Sequence, residues 1–264
     1  MNINKIKYTI ISILLIICVS SKANLNIKLE SIDINTSDKI SLQKGSKIFF
    51  ETCVGCHSLK YMRYIELAKG IGISPIKDKS IENLTKEIFL NLNNKININD
   101  PISNFISKND AIKWFGKNPP DLSLISKYRS KNWIYSYMKS FYKDSSKPTG
   151  VNNLIFPDVG MPHVLVNLQG IQKLKKIEHN NSSLLPKDML ELEAKGILSE
   201  EEYNLLLKDL ITFLAYVSEP TEQKRYTIGY FVVSFTILLS ILLYFLKREY
   251  WKDINYKKNA NNSN

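Results

Sequence analysis

A run of twenty residues without a charged side chain lies near the carboxyl end of the chain and restricts how the whole chain can fold. Residues 227–246 read TIGYFVVSFTILLSILLYFL. In a helix this length matches the hydrocarbon core of a bilayer, whereas a buried helix of a globular domain is usually shorter and amphipathic. We therefore predict a transmembrane anchor at residues 226–246, which leaves the preceding residues to form a folded domain beside the lipid bilayer.

Basic residues follow the apolar run directly. Lys247 and Arg248 come first, and residues 226–264 together hold five basic and two acidic side chains. Positive charge that flanks a span marks its cytoplasmic side. We therefore expect residues 247–264 to form a basic cytoplasmic tail and the preceding domain to lie on the opposite side of the membrane.

The amino-terminal residues have the pattern of an export signal. Lys5 and Lys7 precede a largely apolar run at residues 8–19, and small residues follow at the positions that signal peptidase recognises. Twelve helical residues span only about 18 Å, too few for a hydrocarbon core of roughly 30 Å. We expect residues 1–23 to be a cleaved signal peptide. An uncleaved anchor helix and a lipid-modified Cys18 are the alternatives.

The composition excludes several classes of protein. With 44% hydrophobic residues, 23% charged residues and three cysteines, the chain is not disordered, collagen-like or a disulfide-rich miniprotein. Residues 24–225 hold 28 basic and 23 acidic side chains, and they contain no basic stripe interleaved with aromatic residues. Such a stripe is typical of nucleic-acid binding. We expect one medium-sized domain at residues 24–225 and no nucleic-acid partner.

The two cysteines outside the signal peptide lie in the sequence CVGCH at residues 53–57. This spacing is the attachment signature of c-type haem, because both thiols can form thioethers with the vinyl groups and the adjacent imidazole can bind the iron. A structural zinc site, a redox-active cysteine pair and a plain disulfide are the alternatives. Zinc would need four ligands, and the chain has no second cysteine pair. We predict one haem c attached through Cys53 and Cys56, with His57 as a ligand.

Two helices are predicted beside this motif. Gly45 and Phe49 share one face of a helix at residues 41–54, and a second apolar stripe follows a Ser-x-x-Glu capping box that opens a helix at residues 201–218. We expect Gly45 to permit close approach of the second helix and Phe49 to pack on the haem edge. An ordinary core face with an incidental glycine is the alternative. The domain is therefore predicted to be mainly α.

The second axial ligand must come from a distant part of the chain. The residue types that bind haem iron are represented by Met62, Met138, Met161, Met189, His163 and His179. Met161 lies between Gly160 and Pro162 in an irregular stretch, where backbone can be held close to a ligand. We favour Met161 and keep His163 as the next candidate. Ligation by Met and His raises the reduction potential of the iron.

Beyond the haem signature, six stretches form an ordered set of motifs: CVGCHSLKYMRY at 53–64, WFGKNPPDLSLI at 114–125, NWIYSYMKSFY at 132–142, KPTGVNNLIFPDVGMPHVL at 147–165, FLAYVSEP at 213–220 and LKREYWKDI at 246–254. In this set the chain resembles the cytochrome c1 family, the haem subunits of cytochrome bc1 complexes, over residues 42–254. The forms GMPHVL and REYWKD are most similar to proteobacterial members.

The resemblance implies a role for several residues. Cys53 and Cys56 would be the thioether anchors, His57 the proximal ligand and Met161 the distal ligand. It further implies that Arg129 approaches a haem propionate, a role that suits the planar guanidinium, and that the haem packs against Pro119 and Pro120. Trp133 stands where many relatives have Tyr, so a polar contact from that position to the haem does not carry over.

The resemblance also implies a function, a location and partners. The fold would be a cytochrome c-like haem domain with one carboxy-terminal transmembrane helix in a bacterial inner membrane, and the domain would face the periplasm. It would take one electron from the Rieske iron–sulfur protein, beside cytochrome b, and pass it to a soluble c-type cytochrome. The alternatives are a haem protein with an open distal site that binds gases or catalyses a reaction, and an independent anchored electron carrier to an oxidase.

Two stretches are left without a definite role. Residues 188–209 hold seven acidic side chains, which predicts either a docking patch for a basic electron-transfer partner or a solvated helix face. Residues 74–109 match the family weakly, and we assign them no function.

Overall fold

The computed structural model of the chain describes residues 27–73, 97–175 and 185–261. The predicted signal peptide with Cys18 lies outside the described residues, as does His179. The helices of the described part are α1 (Lys39–Thr52), α2 (Tyr64–Gly70), α3 (Lys108–Phe115), α4 (Ile125–Arg129), α5 (Lys131–Lys139), α6 (Val166–Gln169), α7 (Pro186–Met189), α8 (Glu200–Ser218) and α9 (Glu222–Asn261). Its strands are β1 (Leu59–Arg63), β2 (Pro101–Ile102), β3 (Phe141–Lys143), β4 (Val151–Asn153), β5 (Gly170–Leu174) and β6 (Leu190–Lys195).

Helices α1 and α8 cross with their backbones in close approach at Gly45. A Cβ atom at Gly45 would lie 2.1 Å from the carbonyl oxygen of Asp209 and 2.7 Å from Cβ of Phe213, so a larger residue does not fit. Beside this contact, Ser41 Oγ donates a hydrogen bond to Asp209 Oδ1 at 2.6 Å. The prediction that Gly45 permits a second helix to approach is confirmed.

Side-chain caps fix where these two helices begin. Asp38 Oδ1 accepts hydrogen bonds from the backbone N–H groups of Ile40 and Ser41, so α1 begins two residues before its predicted start. At the start of α8, Ser199 Oγ accepts from the N–H of Glu202 at 3.2 Å, and Glu202 Oε2 accepts from the N–H of Ser199 at 2.8 Å. The predicted capping box is therefore confirmed.

The core lies along the crossing of α1 and α8. Phe49 and Phe213 are fully buried, with ring centroids 5.5 Å apart, and Phe50 meets Phe49 edge to face. Aromatic pairs at these separations stabilise a core beyond the area they bury. Contact of Phe49 with the haem edge stays a prediction.

Within the described ranges, three antiparallel two-stranded sheets join the helices: β1 with β2, β3 with β4, and β5 with β6. Phe141 pairs with Asn153 in the second sheet, and Leu174 pairs with Leu190 in the third. The prediction of a mainly α fold is confirmed, but these strands were not predicted. They contain two to six residues each, which is too short for a clear alternation of apolar and polar side chains.

The first described residues run along α5 and are fixed to it by side chains. The backbone N–H of Glu30 donates to Ser136 Oγ at 2.8 Å, and that of Ile32 donates to Asn132 Oδ1 at 3.0 Å. Lys139 pairs with Glu30 at 2.7 Å, and their side chains are only 10% and 12% exposed. This segment therefore forms part of the domain.

Helix α9 is apolar over most of its length and stands apart from the domain. Residues 222–252 contain a window with mean hydropathy 2.2, none of which is buried against other described residues. In the described part of the chain it is the one helix with the length and composition to cross a membrane. The helix begins before residue 226 and continues into the predicted tail.

Candidate haem-binding site

Cys53 and Cys56 lie in the turn that ends α1. The N–H of Cys53 still bonds to the carbonyl of Phe49 at 2.8 Å, while the N–H groups of Cys56 and His57 both bond to the carbonyl of Cys53, at 3.1 and 2.8 Å. Both cysteines are free thiols, so the alternative of a plain disulfide is not formed in this structure. Burial raises the pKa of Cys53 to about 11 and also raises that of Cys56. Both thiols are therefore protonated at neutral pH.

The imidazole of His57 is oriented by a backbone carbonyl. Its Nδ1 atom lies 2.8 Å from the carbonyl oxygen of Pro120, which can only accept, so Nδ1 carries the proton. The other nitrogen, Nε2, then keeps its lone pair free for a metal, the arrangement typical of metal-ligating histidines. Burial lowers the pKa of His57, although the Pro120 carbonyl and Asp121 oppose this, and a neutral imidazole is the form that binds iron.

Asp121 joins the histidine loop to the segment that contains the two prolines. Its Oδ2 atom accepts from Ser58 Oγ at 2.7 Å and from the N–H of Lys60 at 2.9 Å, and its Oδ1 accepts from the N–H of Ser123 at 3.0 Å. The N–H of Leu122 also donates to the carbonyl of Ser58 at 2.9 Å. Burial alone would raise the pKa of Asp121, but these hydrogen bonds outweigh it and lower the pKa. The carboxylate is therefore ionised at neutral pH.

Met161 lies in a loop that also approaches the proline segment, at its start. A Cβ atom at Gly160 would come within 2.9 Å of the carbonyl oxygen of Phe115 and 3.0 Å of Lys117, which shows how closely the two stretches approach. Residues 115–123 therefore contact both the His57 loop and the Met161 loop. The half-buried Met161 packs against the same core as Cys53.

The sulfur of Met161 also has a hydrogen-bond donor. The hydroxyl of Tyr137, on α5, donates to Met161 Sδ at 3.3 Å. The ring of Tyr137 stacks on that of Trp133, with centroids 4.9 Å apart and planes 9° apart. Burial raises the pKa of Tyr137, so its hydroxyl keeps the proton that it donates. The sequence patterns did not single out Tyr137, because a helical tyrosine looks like any other core residue.

Arg129 extends this row of side chains at the end of α4. Its guanidinium lies over the rings of Trp133, Tyr128 and Phe156, at 4.8, 4.9 and 5.6 Å from their centroids. Among the described carboxylates none forms an ion pair with Arg129, so the salt bridge that an arginine commonly makes is not present there. The charge is held by aromatic faces and can still bind a carboxylate of a ligand.

Three of the other candidate ligands, Met62, Met138 and His163, are buried. Met62 in β1 and Met138 in α5 are buried at 3% and 6% exposure. His163 is also buried, stacks on Phe141 with ring centroids 4.9 Å apart, and has its pKa lowered by burial to about 4. Met189 lies in α7 and is half-buried. Met161 differs from Met62 and Met138 in being only half-buried and in lying in a loop rather than in a strand or helix.

Most of the acidic stretch at residues 188–209 has partners within the molecule. Carboxylates there accept from backbone N–H groups at helix starts, pair with lysines of neighbouring strands, or bond to α1. These are Asp188, Glu191, Glu193, Glu202 and Asp209. The stretch is therefore largely structural, which favours the interpretation as a solvated face over a dedicated docking patch.

Comparison with known proteins gives a consistent set of relatives. The Cytochrome C1 family matches residues 31–254. Cytochrome c1 of Allochromatium vinosum is 44% identical over 228 residues, which cover 86% of this chain and 90% of that protein. The ammonia monooxygenase gamma subunit of Nitrosomonas europaea is 36% identical over 250 residues, 95% of this chain and 99% of that protein. Mitochondrial cytochrome c1 of Neurospora crassa is 26% identical over 242 residues, 85% and 66% respectively.

Proposed function

The chain belongs to the cytochrome c1 family, and we propose that it carries one haem c on thioether bonds to Cys53 and Cys56 and passes single electrons from a Rieske iron–sulfur protein to a soluble c-type cytochrome. Family members are membrane-anchored haem subunits of bc1 complexes, which also contain cytochrome b and the Rieske protein. Quinol oxidation then belongs to a partner subunit, and this chain needs no catalytic acid, base or nucleophile.

The observation that carries this proposal is the hydrogen bond from His57 to Pro120. It fixes the imidazole tautomer beside two free cysteines, so the three groups that a c-type haem needs are present in one loop. These residues can hold a haem c as they stand. The His57 tautomer already leaves Nε2 available for the iron, and neither cysteine is in a disulfide. When bound, the haem supplies a one-electron iron couple.

The remaining residues have supporting roles in this proposal. Met161 would supply the second thioether ligand, because it is half-buried in a loop, whereas Met62 and Met138 are buried in a strand and a helix. Arg129 binds a propionate through a guanidinium that has no carboxylate partner among the described residues. Pro119 and Pro120 line the haem, and Pro120 also orients His57. Met and His together give a high potential, which suits an acceptor from a Rieske centre.

The proposed topology follows from the two ends of the chain. Residues 24–225 form a periplasmic domain after removal of residues 1–23, the anchor at 226–246 lies within α9, and residues 247–264 stay in the cytoplasm of a bacterial cell. Support comes from the apolar surface of α9, which is not covered by the domain, and from Lys247 and Arg248, which follow the apolar run.

A chain truncated after Arg225 should be exported, soluble and haem-loaded. Retention of that truncated chain in the membrane after signal cleavage would contradict this division.

Purification of the full-length chain from its own membranes in a mild detergent tests the assignment to a complex. We expect a di-haem cytochrome b and a Rieske protein to copurify with it in fixed proportion. Recovery of the haem protein alone, with full electron transfer to an oxidase, would contradict the proposal and favour the independent carrier. Spectra of the reduced complex measure both haem types in the same sample.

A further inference from the structure

The hydroxyl of Tyr137 is directed at the sulfur of Met161. The oxygen lies 3.3 Å from Sδ, and this is the one hydrogen bond of that hydroxyl within the described residues. Sulfur is a weak acceptor, so a tyrosine would ordinarily find an oxygen acceptor or water. A half-buried hydroxyl that is directed at a thioether rather than at an oxygen indicates that the sulfur itself has a function.

The ring that carries this hydroxyl is held on several sides. Trp133 stacks on it at 4.9 Å, and Phe141 meets its edge at 5.2 Å with the planes 69° apart. The backbone is fixed as well, since Asn153 Nδ2 donates to the carbonyl of Tyr137 at 2.8 Å. These contacts hold the ring in place, which keeps its hydroxyl beside the Met161 sulfur.

A thioether sulfur has two lone pairs, and each can have a separate role. In the proposed function one lone pair would bind the iron, which would leave the other to accept the hydrogen bond. A donor at that position withdraws electron density from the sulfur and makes it a weaker electron donor to the metal. Ferric iron loses more from a weaker donor than ferrous iron does, so the hydrogen bond favours the ferrous state.

We propose that Tyr137 is a positioning residue, which orients the Met161 thioether and raises the reduction potential of the site through its hydroxyl. This inference rests on the proposed function, in which Met161 would be a ligand of the haem iron. A hydroxyl that also holds the sulfur in place should make Met161 harder to displace by a competing ligand.

Tyr137→Phe in the full-length, haem-loaded protein removes the hydroxyl and keeps the ring and its stacking. The equilibrium between ferrous and ferric states should shift about fourfold toward ferric, which is a fall of about 35 mV at about 59 mV per tenfold change for one electron. The affinity of the ferric protein for added imidazole should rise about fivefold. Redox titration and imidazole titration measure the two effects.

Tyr135→Phe is the matched control, because Tyr135 lies on the same helix and also donates a side-chain hydrogen bond. Its hydroxyl donates to Asn204 Oδ1 at 2.9 Å and makes no contact with Met161. We expect its potential and imidazole affinity to equal those of the wild type. Equal shifts in both variants would show a general packing effect and overturn the role of Tyr137, as would a Tyr137→Phe protein with unchanged values.

The ligand assignment is tested separately in the oxidised wild type. The far-red charge-transfer band of an iron–thioether bond should be present, and its absence would contradict the proposed ligand rather than the role of Tyr137 alone. If Tyr137→Phe fails to retain haem, proton NMR of the reduced wild type replaces it. A slowly exchanging hydroxyl proton close to the Met161 methyl supports the proposal, and its absence overturns it.

Discussion

The two loops that supply the candidate ligands are held in different ways. The His57 loop continues directly from α1 and is fixed by backbone atoms and by one carboxylate, that of Asp121. The Met161 loop is fixed by a tyrosine hydroxyl on α5 and by the close approach of Gly160 to Phe115.

The difference indicates that the geometry of the proximal side is fixed, whereas the properties of the distal side can be changed by substitution. Backbone contacts depend little on side-chain identity, so the proximal side keeps its geometry through most substitutions. On the distal side one side-chain hydroxyl, that of Tyr137, bonds to the candidate ligand itself, so the site can be tuned by exchanging that residue. We therefore expect substitutions on the proximal side to change attachment and folding, and substitutions on the distal side to change the potential and ligand access while the haem stays bound.

Replacing both cysteines should have the largest effect. In a chain with Cys53→Ala and Cys56→Ala, no thioether can form, so acid–acetone extraction should release all the haem into the solvent. In the wild type the haem should stay with the denatured polypeptide. Absorbance of the two phases measures the result, and haem in the solvent from the wild type would contradict covalent attachment.

Gly45→Ala should destabilise the domain that carries the proximal loop. The added Cβ would lie 2.1 Å from the Asp209 carbonyl, so α1 and α8 must separate, at a cost of about 3 kcal/mol by comparison with other overpacked cores. Urea unfolding of the haem-loaded protein measures the change. Lys44→Ala on the exposed face of α1 is the control and should change stability by less than about 0.5 kcal/mol. Equal stability of both variants would contradict the close crossing.

Asp121→Asn should weaken the link between the His57 loop and the proline segment by about 1–2 kcal/mol at neutral pH, because charged hydrogen bonds are replaced by neutral ones. The pKa of Asp121 is lowered in the folded state, so its contribution is complete above the ordinary value of 3.8 and is lost as the pH falls through the lower folded value. The wild type and the variant should converge in acid.

Denaturant unfolding at neutral and acidic pH measures this convergence. Asp110→Asn is the control, because Asp110 is exposed and its carboxylate bonds only within its own helix start, to Ser107. A difference between wild type and Asp121→Asn that persists at low pH would contradict the role of the ionised carboxylate.

Local patterns predicted more of the proximal side than of the distal side. Residues only three or four positions apart define the CVGCH motif, the Gly45 face of α1 and the Ser199 capping box. Such short spacings can be recognised in a sequence. The bond from His57 to Pro120 joins residues 63 positions apart, and the Pro120 carbonyl carries no sequence signal of its own. The role of Tyr137 was missed for the same reason. The motif at residues 147–165 predicted the loop that contains Met161. It did not predict that Tyr137 on α5 donates a hydrogen bond to the Met161 sulfur.

Carbon monoxide binding to the reduced protein tests the six-coordinate site most directly. Met161→Leu keeps similar volume, so packing should change by less than about 1.5 kcal/mol, and the haem should remain on Cys53 and Cys56. The wild type should not bind carbon monoxide, whereas Met161→Leu should bind it readily and show a lower potential. If the wild type binds carbon monoxide as readily as the variant, the distal position is open, Met161 is not the ligand, and the gas-binding alternative gains support.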